Sequence, residues 1–308
     1  VTRRGALLFI ALGIAWGIPY LLIKVAVGEL DPAFVVFGRS ALGAVLLLPL
    51  ALFRKQVMPV LRRWRPLLVY TAVEIVIPWF FLSTAETELS SSTAGLLLAA
   101  VPLAGIAVAY FFGRPPGLRL GNWLGIVLGM LGVAALVGIE LRGSWLAVGQ
   151  IAIVVIGYAL GPAILSRWMS DLPGIGVVAV SLAVAGIVYI PVVTAFGGWP
   201  AEVPSAEAIG SVVALAVVCS ALAFILMFAL IAEIGPMRMT TITYVNPAVA
   251  IIAGAIVLGE RITWVTVVGF VLVLAGSYLV TRKRAAPEVP PGPDAAAAVV
   301  EADEAAKA

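Results

Sequence analysis

The sequence has no histidine and one cysteine, Cys219. The first absence removes imidazole acid–base chemistry, histidine metal ligation and Ser-His-Asp triads. The second removes intramolecular disulfides and thiolate clusters for zinc or iron–sulfur, so no metal and no cofactor is expected. There is also no GxxxxGK[ST] loop for Walker-type ATP hydrolysis, no HExxH and no TVGYG filter segment. Charge is scarce, with Asp, Glu, Lys and Arg together making 11% of the chain, against about 25% in an average soluble domain.

What fills the space is apolar. Hydrophobic residues are 63% of the 308, and the mean hydropathy is +1.15. A water-soluble globule of this size could not hide so much apolar surface. Runs of about 20 apolar residues, enough to cross a bilayer as helix, recur with short breaks. They predict spans over 5–27, 33–53, 66–85, 91–112, 120–138, 145–167, 174–196, 208–230, 240–258 and 263–281. Ala41–Pro49 and Gly95–Ala109 lack the alternating polarity of barrel strands, so the spans are helices. The first is too long and continuous for a cleaved signal peptide and is read as retained. An all-α membrane protein of ten transmembrane helices is expected.

Lysine and arginine set the orientation. With the N-terminus inside, Arg3, Arg4, Arg54, Lys55, Arg62, Arg63, Arg65, Arg114, Arg119, Arg167, Arg238, Arg282, Lys283 and Arg284 all fall on the cytoplasmic side, and only Arg142 and Arg261 fall outside. The basic clusters are therefore topology signals, and nucleic acid is not an expected partner. Both termini are expected in the cytoplasm. The excess of arginine over lysine, with abundant Ala, Val and Gly, suits a GC-rich bacterial genome and hence a bacterial inner membrane. Residues 285–308, rich in Ala, Pro and acid, cannot bury a core and read as a disordered cytoplasmic tail.

The two halves resemble each other at a near-constant offset. Pro19 with Lys24 five residues on answers Pro162 with Arg167. Pro49 answers Pro191, Glu88 answers Glu233, Pro102 answers Pro247, and Gly125 and Gly132 answer Gly269 and Gly276. Repeats over 1–142 and 143–284 each hold five spans, so the second must be inverted relative to the first. Inverted five-helix repeats are the architecture of secondary transporters. The stretch AWGIPYLLIKVAV, with Arg39 in the next span, and YVNPAVAIIAGAIVLGERITWVTVVGFVLVLAGSYLV at 244–280 resemble an EamA-type repeat of the drug/metabolite transporter superfamily. The first repeat departs from that pattern, with FFGRPPG at 111–117 where an acidic turn residue such as Glu260 is usual. The resemblance implies a central cavity lined by spans one, three, four, six, eight and nine, a small organic metabolite or drug as substrate, and export as the direction.

Three ionisable residues fall inside the spans: Lys24, Arg39 and Glu74. Each costs about 3 kcal/mol or more at the bilayer centre and needs a partner or a wet cavity. Gly13, Gly17, Tyr20 and Lys24 share one face of span one, and Tyr70, Glu74, Pro78 and Phe81 share one face of span three. Three readings stand for Glu74: a structural ion pair with Arg39 or Lys24, a ligand for a cationic substrate group, or a carrier of a coupling proton. Thr243, Tyr244 and Asn246 precede Pro247, whose missing N–H frees a carbonyl near Thr243 for a cavity. Asn246 reads equally as an interhelical hydrogen bond. Pro19, Pro102, Pro162 and Pro247 are candidate kinks for gating. The row Gly121, Gly125, Gly129 fits close packing against Gly269 and Gly276, or a homodimer contact, so monomer and homodimer both stand. Trp145 and Trp264 at span ends read as interface anchors; Trp16 and Trp79 read as anchors or substrate stackers. Glu29, Asp31, Glu86 and Glu88 are placed in outer loops. An uncoupled facilitator is the alternative to a coupled carrier. An integral-membrane lipid-modifying enzyme ranks last, because no catalytic or metal-like spacing connects the acids.

Overall fold

The computed structural model describes residues 2–111, 120–140, 145–235 and 239–281. Among these there is no strand. Span one is Arg3–Gly17 continued by Pro19–Ala26, and span two is Pro32–Phe53. Span three joins Trp64–Thr71, Ala72–Val76 and Ile77–Glu88, and span four joins Ser91–Leu98 and Val101–Phe111. Spans five, six and seven are Leu120–Glu140, Trp145–Trp168 and Gly174–Ala195. Span eight joins Ala206–Ala216, Val217–Leu222 and Ala223–Ile234. Span nine joins Thr240–Tyr244 and Asn246–Val257, and span ten is Trp264–Thr281. Seven of the ten are long and apolar enough to cross a bilayer, and spans five, nine and ten add shorter apolar helices. Arg114, Arg119, Arg142, Arg238, Arg282–Arg284 and the tail 285–308 lie outside the described residues.

Large apolar side chains point outward along the bundle: Leu7 is 61% exposed, Val45 67% and Ile256 77%. In water such a surface would aggregate. In lipid it is the ordinary outer face, since the tails are as apolar as the side chains. Local chemistry starts the helices. Asp31 accepts a hydrogen bond from the Ala33 N–H ahead of Pro32, and Ser90 and Ser205 cap Thr93 and Ala208 in the same way.

The packing follows the repeat. Span two lies on span seven, span four on span nine, and span five on span ten, each beside its own counterpart. Span one lies on span eight and span six on span three, which are the same pair exchanged between halves. This is the pattern of two five-helix repeats about a pseudo-two-fold axis.

Prolines sort into two kinds. Pro49, Pro162 and Pro191 are held inside continuous helices. Pro19 begins a fresh helical segment, and Pro102 and Pro247 are each the second residue of one. Each of those three therefore sits where its missing N–H leaves no gap in the ladder. Spans three and eight are interrupted differently. Each contains a π turn, at Ala72–Val76 and Val217–Leu222, at matching positions of the two halves.

The glycine row of span five meets span ten directly. A Cβ on Gly276 would collide with the backbone of Gly125 and Gly129, and one on Gly269 would overlap the side chain of Leu136. Gly132 completes the seam against Gly269 and Val273. Gly121, expected in this row, has nothing within 4 Å of the position a Cβ would take. It lies at the start of span five, beyond the close approach. Gly276→Val is accordingly expected to cost about 2–3 kcal/mol. It should lower the thermal midpoint of the detergent-solubilised chain, whereas Gly121→Ala leaves that midpoint unchanged. Equal midpoints for both variants would refute this seam.

Candidate substrate cavity

The interruptions converge on one cavity of about 590 Å³ between the halves. Its polar lining includes Tyr20, Arg39, Glu74, Tyr158, Thr243 and Asn246, set among apolar walls. Spans one, three, four, six, eight and nine all contribute, and spans two and seven add Arg39 and Gly174, Val177 and Val178.

Arg39 is the best-held charge. It is 7% exposed. Its guanidinium carbon stacks 3.6 Å from the ring centroid of Trp79, and its Nε donates to Ser220 Oγ at 2.9 Å. A desolvated guanidinium–indole stack contributes about 2 kcal/mol. Ser220 lies in the π turn of span eight and donates in turn to the Leu215 carbonyl at 2.9 Å. A π turn leaves such a carbonyl without its usual helical donor. In span three the corresponding turn presents the Val76 carbonyl to the Tyr189 hydroxyl at 2.7 Å.

Glu74 sits in that span-three π turn. Its carboxylate packs on the bare backbone of Gly161, where any Cβ would overlap it, and Gly157 seats Pro78 in the same way. The face Tyr70, Glu74, Pro78 thus lies against span six. Glu74 Oε2 is buried without a hydrogen-bond partner. The ion pair with Arg39 or Lys24 does not form: the ion pairs among the described residues are Arg4–Glu233 and Arg63–Asp171. Arg39 is engaged by Trp79 and Ser220, and Lys24 Nζ is tied to the carbonyls of Glu86 and Leu89 at 2.7 and 2.8 Å.

Other expected residues divide likewise. Tyr20, Tyr70, Thr243 and Asn246 line the cavity, together with Pro19, Pro162 and Pro247. Asn246 Oδ1 is buried without a partner. Tyr244 turns away and donates to the Ser277 carbonyl of span ten at 3.2 Å, because the 3-10 turn rotates it off the Thr243 face. Gly13 and Gly17 of the span-one stripe meet Val245 and Val249 of span nine rather than water. Trp16 and Trp79 line the cavity, while Trp145 and Trp264 are 70% and 84% exposed. Tyr158 and Cys219 were not anticipated in the lining. Tyr158 stands one turn before Pro162 on the same face, and that spacing was the available signal.

The two ends of the bundle differ. Toward one end the lining continues to Leu165, Gly174, Ile231 and Met239, at the tips of spans six, seven, eight and nine. That end carries Arg4–Glu233, a half-exposed pair, and Arg63–Asp171, a solvent-exposed pair of little energetic weight. Toward the other end the lining stops at Leu82 and Gly95. Beyond them stands a seal. Lys24 clamps the carbonyl end of span three. Glu260 accepts from the Ser91 N–H at 2.8 Å, the Ser92 N–H at 3.0 Å and the Ser92 hydroxyl, capping span four from the second half. Glu29 accepts from the Ser205 N–H at 2.8 Å. The hydrogen bonds from Ser205, side chain first and then backbone, hold the Glu29 carboxyl below its usual range. That tie is complete at neutral pH and is lost only as pH falls through the lowered value.

Glu86 corrects the reading of the outer acids. It is not in a loop: helix continues to Glu88, and Glu86 is 0% exposed inside the seal.

A scan of family models matches residues 3–138 and 145–282, each as one copy of the EamA-like transporter family. The "uncharacterized inner membrane transporter YedA" of Escherichia coli K12 is 31% identical over 286 residues, covering 89% of this chain and 91% of its own. The "uncharacterized transporter YvbV" of Bacillus subtilis is 25% identical, covering 92% and 93%. A solved crystal structure superposes with a TM-score of 0.63 at 19% identity, over 91% of this chain and 97% of its own, a likeness that speaks for the fold alone.

Removing the cap should be visible without a substrate. Glu260→Ala leaves two N–H groups at the start of span four unmet and is expected to cost about 2–3 kcal/mol, with Glu260→Gln recovering part. A thermal melt of both variants checks the order; an unchanged midpoint in Glu260→Ala would show that the seal does not depend on this cap.

Proposed function

Because the chain belongs to the EamA-like transporter family, we propose that it is a secondary active carrier that exports a small organic metabolite or drug by alternating access. The observation that supports this reading is a polar-spotted cavity between inverted halves, reaching one end of the bundle and sealed at the other. A carrier needs such one-sided access, and the repeat supplies the alternative state by exchanging the roles of the halves. The repeats are taken as 1–142 and 143–284. The open end carries the arginine-rich segment 54–65, so the cavity faces the cytoplasm under the positive-inside rule. Both termini then lie in the cytoplasm of a bacterial cell, with the chain in the inner membrane.

Within the cavity, Arg39 and Glu74 offer one guanidinium and one carboxyl group at membrane depth, flanked by Tyr20, Trp79 and Tyr158. A compound with a polar head and an apolar or aromatic body fits that lining, and about 590 Å³ suits a small molecule. Arg39 and Glu74 are assigned to binding, and the interruptions of spans one, three, four, eight and nine to the motion.

Comparing metabolites in cells and medium of deletion and overexpressing strains identifies the compound. Its flux in proteoliposomes should fall at least about tenfold in Glu74→Gln or Arg39→Ala, the loss of one charge-assisted contact. Flux should persist in Phe53→Ala, whose side chain is 88% exposed. Unchanged flux in both cavity variants would remove this assignment. Orientation is tested separately in a Cys219→Ser background. Met58→Cys should react with an impermeant maleimide only from the cytoplasmic side and Val203→Cys only from the periplasmic side. The reverse pattern would overturn it.

A further inference from the structure

The most anomalous group in the molecule lies outside the cavity. The Glu86 side chain is 0% exposed, and neither carboxyl oxygen has a hydrogen-bond partner among the described residues. The nearest cation, Lys24, does not pair with it. The ammonium instead binds the backbone carbonyl of Glu86 itself and that of Leu89. An ionised carboxylate without a donor is among the most expensive groups to bury, and the expense is greatest beside another acid. Glu260 is such an acid: it holds the adjoining helix start through Ser91 and Ser92.

The titratable groups that act electrostatically on Glu86 are Lys24 and Tyr20 from span one, Arg39 from span two, Tyr158 from span six and Glu260 from the turn after span nine. Most are already committed. Arg39 is held by Trp79 and Ser220, Lys24 by two carbonyls, and Glu260 by the serine N–H groups. The seal is therefore assembled around a carboxyl group that receives nothing from its surroundings. That arrangement fits a carboxylic acid with its proton in place, and it does not fit the anion.

We propose that Glu86 is a proton-binding site built into the seal, which closes on the protonated acid and parts when the proton leaves to water at that end. The ligand is the proton itself. The Glu86 O–H bond breaks, the electron pair stays on the carboxylate, and Lys24 is within reach to leave the carbonyls and pair with the new anion. That exchange removes the clamp on the carbonyl end of span three and hydrates the seal. The inference rests on the alternating-access reading and deepens it: it supplies the coupling ion and places the coupling acid at the gate, apart from Glu74 in the cavity.

The test uses the full chain in liposomes, with acid and base as the only additions, so that it needs no transported compound. Infrared difference spectra read protonated carboxylic acids directly through their carbonyl band. At neutral pH the band should be present in the parent, persist in Glu74→Gln, and lose a component in Glu86→Gln. Glu86→Asp should restore a component at a shifted pH midpoint, which guards against a misfolded glutamine variant. Opening is read by Leu82→Cys in a Cys219→Ser background, because Leu82 is 2% exposed and lies one turn below Glu86 at the limit of the cavity lining. Its labelling by an impermeant maleimide from the sealed end should rise at least about fivefold on going from acid to alkaline medium, the response of a two-state gate. With Glu86→Gln added, labelling should stay at the low acid rate throughout. A carboxylic band unchanged by Glu86→Gln, or labelling that keeps the parent's pH dependence in Glu86→Gln, overturns the proposal. A chain that titrates and opens as described yet carries no compound would sink the transport reading and leave the proton site standing.

Discussion

The constraint on which the rest depends is that lipid offers the backbone no hydrogen bonds. Every N–H and C=O at membrane depth must be met inside the protein, and helix is the cheapest way to do so. Five of the ten spans nevertheless break their ladder: spans one, four and nine by restarting, spans three and eight by a π turn. All five border the cavity. At the two π turns a carbonyl accepts a side-chain hydroxyl, Val76 from Tyr189 and Leu215 from Ser220. Spans two, five, six, seven and ten remain continuous and serve as the frame. Span six, continuous around Pro162, still reaches the cavity through Tyr158 and Pro162.

Buried charge is handled by a different device in each case. Arg39 is stacked on an indole and hydrogen-bonded, so it is pre-oriented and fixed. Lys24 spends its donors on backbone carbonyls and acts as a clamp. Glu260 spends its acceptors on a helix start, where the N-terminal N–H groups and the dipole favour an anion. Among the described residues, only Glu74 and Glu86 keep buried carboxyl oxygens unmet. The groups left with capacity to bind something are thus separable from those already used to hold the fold.

Much of this was legible in the sequence. The hydrophobic runs locate the spans because bilayer thickness fixes their length. The proline and glycine offsets expose the repeat because prolines and glycines mark backbone geometry, which both halves must share. The seam of Gly125, Gly129, Gly269 and Gly276 follows for the same reason, with Gly121 the overextension. Side-chain destinations were less legible. Glu86 was placed in a loop because hydropathy falls near residue 85, whereas the helix continues to Glu88. The supposed Glu74 pair with Arg39 or Lys24 assumed that opposite charges inside a membrane find each other. Trp79, Ser220 and two carbonyls are closer partners for the cations. The π turns carry no composition signal, since one extra residue per turn is a property of packing.

The symmetry of the backbone makes the asymmetry of the chemistry informative. The span-three π turn holds Glu74, and the matching span-eight turn holds Cys219. Span two reaches the span-eight turn through Arg39 and Ser220, while span seven reaches the span-three segment through the neutral pair Ser181 and Thr71 at 2.9 Å. At these positions geometry is therefore kept in both halves, while charge is kept in one. A second arginine and a second glutamate would double the burial cost without a partner for either. Under the proposed alternating-access reading, the carrier needs two-fold mechanics but only one set of recognition groups.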